Sequence, residues 1–265
     1  MLPLLVGCRD DHVRVAFRPN VGDVYRYEVT VRSRSEVRLP GETPVVRDEK
    51  VVLQSQQTVL TAGRSGVRVQ VVLADASGSV RTFVVRFDRA AQLESVESDD
   101  PVTVAHGEGA TGAASSGAGL FGISEIFPAA AGAPPERPLG PGERWRVDDL
   151  ISVPGSVGRA ELTGEGRLEQ LGYVGDAAVA RLATTIRLDL TSAQRTADGE
   201  RVILDGVQTT RQRAAHDLAD GAVRSADSTT DGTFALEIDP PGDRVGEPVH
   251  GTLTVRVRST TKRLR

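Results

Sequence analysis

From Tyr25 onward the chain alternates strictly between two kinds of position. Tyr25, Tyr27, Val29, Val31, Ser33, Ser35, Val37 and Leu39 fall on odd numbers, with Arg26, Glu28, Thr30, Arg32, Arg34, Glu36 and Arg38 between them. A period of two sustained this far is the signature of a strand with one buried face, and no helix produces it. The pattern returns at Val67, Val69, Val71, Leu73; at Phe83, Val85, Phe87; at Leu182, Ile186, Leu188, Leu190; at Phe234, Leu236, Ile238; and at Leu253, Val255, Val257. One wet face per strand predicts antiparallel rather than parallel pairing. Turn-forming residues separate the runs at Ala62–Gly66, Asp75–Gly78, Asp88–Ala91, Gly172–Asp176, Ala197–Gly199 and Asp220–Gly221. A strand of this length must twist and bend around a core. The expected fold is mainly β: a strongly curled antiparallel sheet or barrel, as one body or two related halves.

The division into halves rests on a short repeat. Gly22-Asp23-Val24-Tyr25-Arg26-Tyr27 and Gly142-Glu143-Arg144-Trp145-Arg146-Val147 share the order glycine, acid, any residue, aromatic, arginine, apolar, each preceded by a proline (Pro19, Pro141). It sets a first β half over 13–104 and a second over 140–265, with a Gly/Ala/Pro-rich connection at 105–139. Within that connection, Leu120, Ile123 and Phe127 share a helical face, with Ile126 alongside. A short helix over 118–127 is expected there, ended by Pro128. Packed against the sheet it would be core; hinged on the preceding glycines it would be a lid. Small polar residues also occupy inward positions: Ser33, Ser35, Ser55, Gln57, Ser259 and Thr261. They read as strand ends projecting beyond the core and solvated on both faces, the alternative being a cavity.

Composition adds an address more than an activity. The charge of -4 comes from 32 basic and 36 acidic residues spread along every segment. The sequence therefore shows no basic face for nucleic acid, which is not an expected partner. The lone cysteine, Cys8, allows no internal disulfide. Leu5-Val6-Gly7-Cys8 resembles the lipobox of bacterial lipoproteins, in which the cysteine is acylated and the preceding signal removed. The resemblance implies lipidation at Cys8, a tether over 8–12 and a permanent hold on a bacterial membrane outside the cytoplasm, since several acyl chains at ~0.8 kcal/mol per buried methylene far exceed one chain's grip. Residues 1–7 are shorter than a secretory signal and read as a truncated one.

Phe17 to Tyr27, Pro141 to Trp145 and Asp217 to Gly221, together with the lipobox, resemble uncharacterised bacterial envelope lipoproteins. In outline such chains are similar to half-barrel lipoprotein carriers, whose curled sheets hold acyl chains. That resemblance implies a membrane partner through the anchor and a lipid or envelope protein as further partner. If a ligand cavity exists, Tyr25, Tyr27, Phe83, Phe87, Phe127 and Trp145 are its expected lining.

Candidate chemistry is sparse. His12, His106, His216 and His250 are isolated, without the spacing of a metal pair. Asp10-Asp11, Asp99-Asp100 and Asp148-Asp149 are sequence neighbours, which a strand points to opposite faces. No Gly-x-Ser-x-Gly, calcium loop or phosphate-binding glycine cluster occurs. The sequence thus predicts no cofactor, no metal and no enzyme. It predicts a tethered interaction or structural module, with a hydrophobic-ligand carrier as the alternative.

Overall fold

The computed structural model describes residues 12–88, 90–98, 126–130, 132–153, 156–195, 200–240 and 247–264. Among the described residues, eleven strands form one continuous antiparallel sheet. They are β1 (Val24–Arg38), β2 (Val45–Gly63), β3 (Gly66–Asp75), β4 (Val80–Phe87), β5 (Leu93–Ser98), β6 (Arg144–Ile151), β7 (Ala160–Val174), β8 (Ala177–Arg195), β9 (Arg201–Asp217), β10 (Val223–Asp239) and β11 (Val249–Arg263). Their order is β5-β4-β3-β2-β1-β11-β10-β9-β8-β7-β6. Two meanders, β1 to β5 and β6 to β11, are thus joined along β1 and β11, and their buried faces share one core.

The sheet curls into a nearly closed barrel. With an odd number of strands, antiparallel pairing all the way round leaves the two edges running the same way. The seam between β5 and β6 is accordingly parallel and short. It consists of one bridge, Ser95 to Ser152, in which the Val96 N–H donates to the Ser152 carbonyl at 2.7 Å and the Ser152 N–H to the Glu94 carbonyl at 3.3 Å.

The period of two sets the faces. On β1, Tyr25, Tyr27, Val29 and Val31 are buried while Arg26, Glu28 and Arg32 are exposed. Charge outside and hydrocarbon inside is the reverse of a membrane-spanning barrel, whose lipid-facing band is apolar. No helix among the described residues is long and apolar enough to cross a membrane.

The short repeat has the same local structure twice. Gly22 and Gly142 both have φ of +87°. Each donates its N–H to a carbonyl of the following strand, that of Val59 at 2.9 Å and that of Leu168 at 2.7 Å. Each repeat's acid then accepts from a backbone N–H three residues earlier, Asp23 from Asn20 at 2.7 Å and Glu143 from Gly140 at 2.8 Å. Both partner strands then shift register, between Val59 and Thr61 and between Leu168 and Gln170.

Of the expected helix over 118–127, residues 118–125 lie outside the described ones; Ile126 is helical, and a 3-10 turn follows at Pro128–Ala130. Proline lacks the N–H a continuing helix needs and disfavours helical geometry in the residue before it. Ile126 to Ala130 and Gly132 to Pro134 are buried inside the barrel. The Pro128 carbonyl accepts from Gln212 Nε2 at 3.2 Å, and the Gly132 carbonyl from Trp145 Nε1 at 3.3 Å. The chain therefore threads its own lumen.

That plug overturns the reading of the inward polar residues as solvated ends. Ser35, Ser55, Gln57, Ser259 and Thr261 are buried. Antiparallel register sets Ser259 beside Val31 and Thr261 beside Val29, part-way along the wall. Ser259 Oγ bonds Ser228 Oγ at 2.7 Å, and Thr210 Oγ1 bonds Thr230 Oγ1 at 2.8 Å. These hydroxyls line the wall that carries Gln212, whose side chain holds the plug.

Candidate functional site: the capped end of the barrel

One barrel end gathers the starts of β1, β6, β8 and β10 and the ends of β9 and β11. The N-terminal segment closes it. Val13 exchanges backbone hydrogen bonds with Leu139 at 2.9 Å, and the Arg18 N–H donates to the Asp220 carbonyl at 2.7 Å. Val15, Ala16 and Phe17 are buried beneath that strap. The β9–β10 turn fits under it because residue 221 is glycine: φ is +75°, and a Cβ would lie 2.3 Å from the Ala16 carbonyl oxygen.

Of the expected cavity residues, the fold brings together Tyr25, Phe87 and Phe127, and packs them solid. Phe17 joins them at ring-centroid distances of 5.8 Å to Tyr25, 5.9 Å to Phe87 and 5.4 Å to Phe127, while Phe87 and Phe127 lie 5.3 Å apart. Tilted and edge-on contacts at these distances are those of filled aromatic cores. Tyr27 and Phe83 are buried on the same inner face. Trp145 covers Gly166, its register partner on β7, and is held by the plug. Cys8, His106, Asp10-Asp11 and Asp99-Asp100 lie outside the described residues.

The sequence reading missed the polar cluster on the same end. Tyr25 Oη donates to Asp220 Oδ2 at 3.0 Å and to Asp23 Oδ2 at 3.3 Å. Asp217 Oδ2 accepts from Arg224 Nε at 2.9 Å and Nη2 at 2.5 Å, and Oδ1 accepts the Ala219 N–H at 3.0 Å. Arg263 stacks on Tyr25, its guanidinium carbon 4.8 Å from the ring centroid, with Nη1 3.9 Å from Asp217. The Asp-Leu-Ala-Asp-Gly hairpin was visible as a turn. Its partners come from positions far away in the chain, which no local pattern pairs.

Burial pushes the Tyr25 and Tyr27 hydroxyls far above the usual phenol range, with the Asp220 carboxylate adding to the rise at Tyr25. Burial also pushes Asp217 up, but the Ala219 N–H, Arg224 and the Arg263 charge outweigh it and hold the carboxyl below its ordinary value. At Asp149 burial, with Asp88 and Asp148 nearby, raises the carboxyl. His216 is fully enclosed, and burial lowers it to about 4. Its Nδ1 lies 2.9 Å from the Gly221 carbonyl, so the neutral ring carries its proton there.

These groups are committed to one another. The acids face guanidinium, phenol and backbone donors, and His216 faces a carbonyl, so no nucleophile stands beside a free base in the cluster. Among the described residues no group of three His, Cys, Asp or Glu side chains is placed to hold a metal. The arrangement locks the strap, the hairpin and the end of β11 together. Beside it lies a shallow depression of about 480 Å³, with Phe17, Arg18, Val21, Gly63, Val67 and Glu136 on its walls.

The lock has a pH signature. Folding depresses the His216 pKa, so the unfolded chain binds more protons between about pH 6.5 and 4, and stability falls as pH drops through that window. A shift of this size corresponds to roughly 3 kcal/mol. Asp217, also depressed, weakens the fold only below the ordinary carboxylate range. Urea midpoints measured from pH 7 to 4.5 should therefore decline in the native protein and much less in His216→Gln. Equal slopes would assign the decline to other groups.

No family model matches the chain, and no curated protein matches it. Among solved structures, it is similar at 10% identity to DynF from the dynemicin biosynthesis pathway of Micromonospora chersina, over 95% of this chain and 85% of that one, with a TM-score of 0.23. It is similar at 8% identity to a loop L8 deletion mutant of OmpT, an outer membrane protein of Vibrio cholerae, over 92% of this chain and 100% of that one, with a TM-score of 0.19. Likeness at this level carries no argument.

Proposed function

We propose that this chain is a lipoprotein of the bacterial envelope, tethered through Cys8, whose barrel is a non-catalytic interaction or structural module. The observation that carries the module reading is the occupied lumen. Ile126 to Ala130 and Gly132 to Pro134 run through it, and Val15 to Phe17 seal one end, so the interior is filled by the protein's own side chains. A carrier of acyl chains needs an apolar space of several hundred Å³. The depression of about 480 Å³ is instead an open surface feature with Arg18, Asp88 and Glu136 on its walls. Leu5-Val6-Gly7-Cys8 supports the tether.

Two measurements test this. In a bacterial host fed labelled palmitate, the chain with a complete secretory signal restored upstream of the lipobox should take up label and sediment with membranes, and Cys8→Ser should lose both properties; an unlabelled chain with that signal would remove the tether. Native mass spectrometry with lipid extraction should give an apo mass. Bound lipid lost on Phe127→Asp would replace the module by a carrier gated by residues 120–127.

A further inference from the structure

Charges scattered along the sequence are not scattered in space. On the outer wall, Arg32 of β1 lies directly opposite Lys50 of β2 and directly opposite Arg258 of β11. All three are exposed, and none has an ion-pair partner among the described residues. Two residues along, Arg34 and Arg256 are also register partners, but Arg34 reaches Asp48 at 3.7 Å and Arg256 reaches Asp231 at 2.7 Å. Asp231 is shared with Arg211, 3.5 Å away. Asp48 and Asp231 are therefore taken, and Asp227, opposite Thr260, accepts from Thr260 Oγ1 at 3.2 Å and makes no ion pair with Arg258. On the other flank stand Val52, Thr30 and Thr260.

Like charges directly opposite on adjacent strands destabilise a sheet. Elsewhere on this wall the chain offsets such pairs: Arg144 and Arg167 adjoin Glu165, 3.3 Å from Arg144, and Arg68 and Arg86 adjoin Glu97, 3.1 Å from Arg86. Lys50, Arg32 and Arg258 have no such relief. We infer that this row is a binding site for a linear anionic polymer, whose successive charges take the place of the missing carboxylates.

The shape of the row selects the partner. Adjacent strands are ~4.8 Å apart, so the three cations span about 10 Å across the strands. The unpaired cations form a line, with the paired Arg34 and Arg256 on one side and Val52, Thr30 and Thr260 on the other; a linear chain of charges matches a line, whereas an anionic bilayer engages a two-dimensional basic patch. Arginine adds bidentate hydrogen bonding to phosphate or carboxylate oxygens.

The test uses inorganic polyphosphate as the probe, with the full-length chain carrying Cys8→Ser so that no acyl group contributes. Binding should weaken with salt, and Lys50→Gln/Arg32→Gln/Arg258→Gln should reduce the slope of log K against log salt by about three. Removing the same charge elsewhere, in Arg64→Gln/Arg146→Gln/Arg181→Gln, should leave that slope unchanged. The row variant should also show a higher urea midpoint, which separates lost binding from lost folding. Equal losses in the two variants, or no salt-dependent binding by the native chain, would overturn the site. Tighter binding to phosphatidylglycerol vesicles than to polyphosphate would overturn the polymer in favour of a membrane surface.

Discussion

Phe127→Ala should lower stability by about 3–5 kcal/mol, the range for deleting a buried ring whose surroundings cannot collapse. Phe127 is 1% exposed and packs on Phe17 and Phe87, which belong to the N-terminal strap and to β4. It therefore joins three parts of the chain that are far apart in sequence: plug, strap and wall. Its neighbours are fixed by ladder and strap hydrogen bonds, which limits relaxation into the void. Against a total of about 5–15 kcal/mol for a folded domain, the loss is large. The melting temperature should fall on the order of 10 °C. Tyr173→Ala, at a position 72% exposed, is the matched control and should leave it unchanged. A small effect at Phe127 would mean that the plug does not contribute to the cooperative core, and would weaken the module reading with it.

Gly166→Ala is expected to displace the only tryptophan of the chain. A Cβ at residue 166 would lie 2.0 Å from Trp145 Cζ2 and 2.6 Å from Cη2, with the indole buried and its Nε1 bonded to the Gly132 carbonyl. The glycine and the aromatic ring across from it form one unit: the ring covers the backbone the glycine leaves bare. Adding one methyl group forces the ring off that site. Overpacking of this kind costs about 1–3 kcal/mol, and the loss of the Gly132 hydrogen bond adds about 1 kcal/mol. Tryptophan emission should shift to the red as the indole meets water, and the urea midpoint should fall. Gly172→Ala, where a Cβ meets nothing within 4 Å, should change neither. Unchanged emission in Gly166→Ala would show that the ring does not rest on residue 166.

Much of this architecture was legible in the chain because strands announce themselves locally. The alternation at Tyr25 to Leu39 requires only that side chains two apart share a face, which holds for any strand whatever it pairs with. The turns were legible for the same reason, as was the Gly22/Gly142 repeat, whose two copies take the same backbone course. Pro128 marked the end of the local turn structure in the sequence, but that the residues from Ile126 on lie inside the barrel depends on packing against Gln212 and Trp145, which no local spacing reveals. Ser259 and Thr261 misled because polarity alone does not distinguish an exposed strand end from a hydroxyl bonded inside a wall.

The sequence by itself determined the class of structure, the inner and outer face of each strand and the places where the chain turns, because each depends on residues within a few positions of one another. Only the tertiary structure decided that the two meanders form one barrel, that residues 126–130 and 132–134 fill it, that Asp217, Arg224, Arg263 and Tyr25 lock its end, and that Lys50, Arg32 and Arg258 stand in a row. These depend on strand order and register, which couple residues more than two hundred positions apart through backbone hydrogen bonds that any side chain permits. A shift of two residues in one ladder would keep every face and disperse that row.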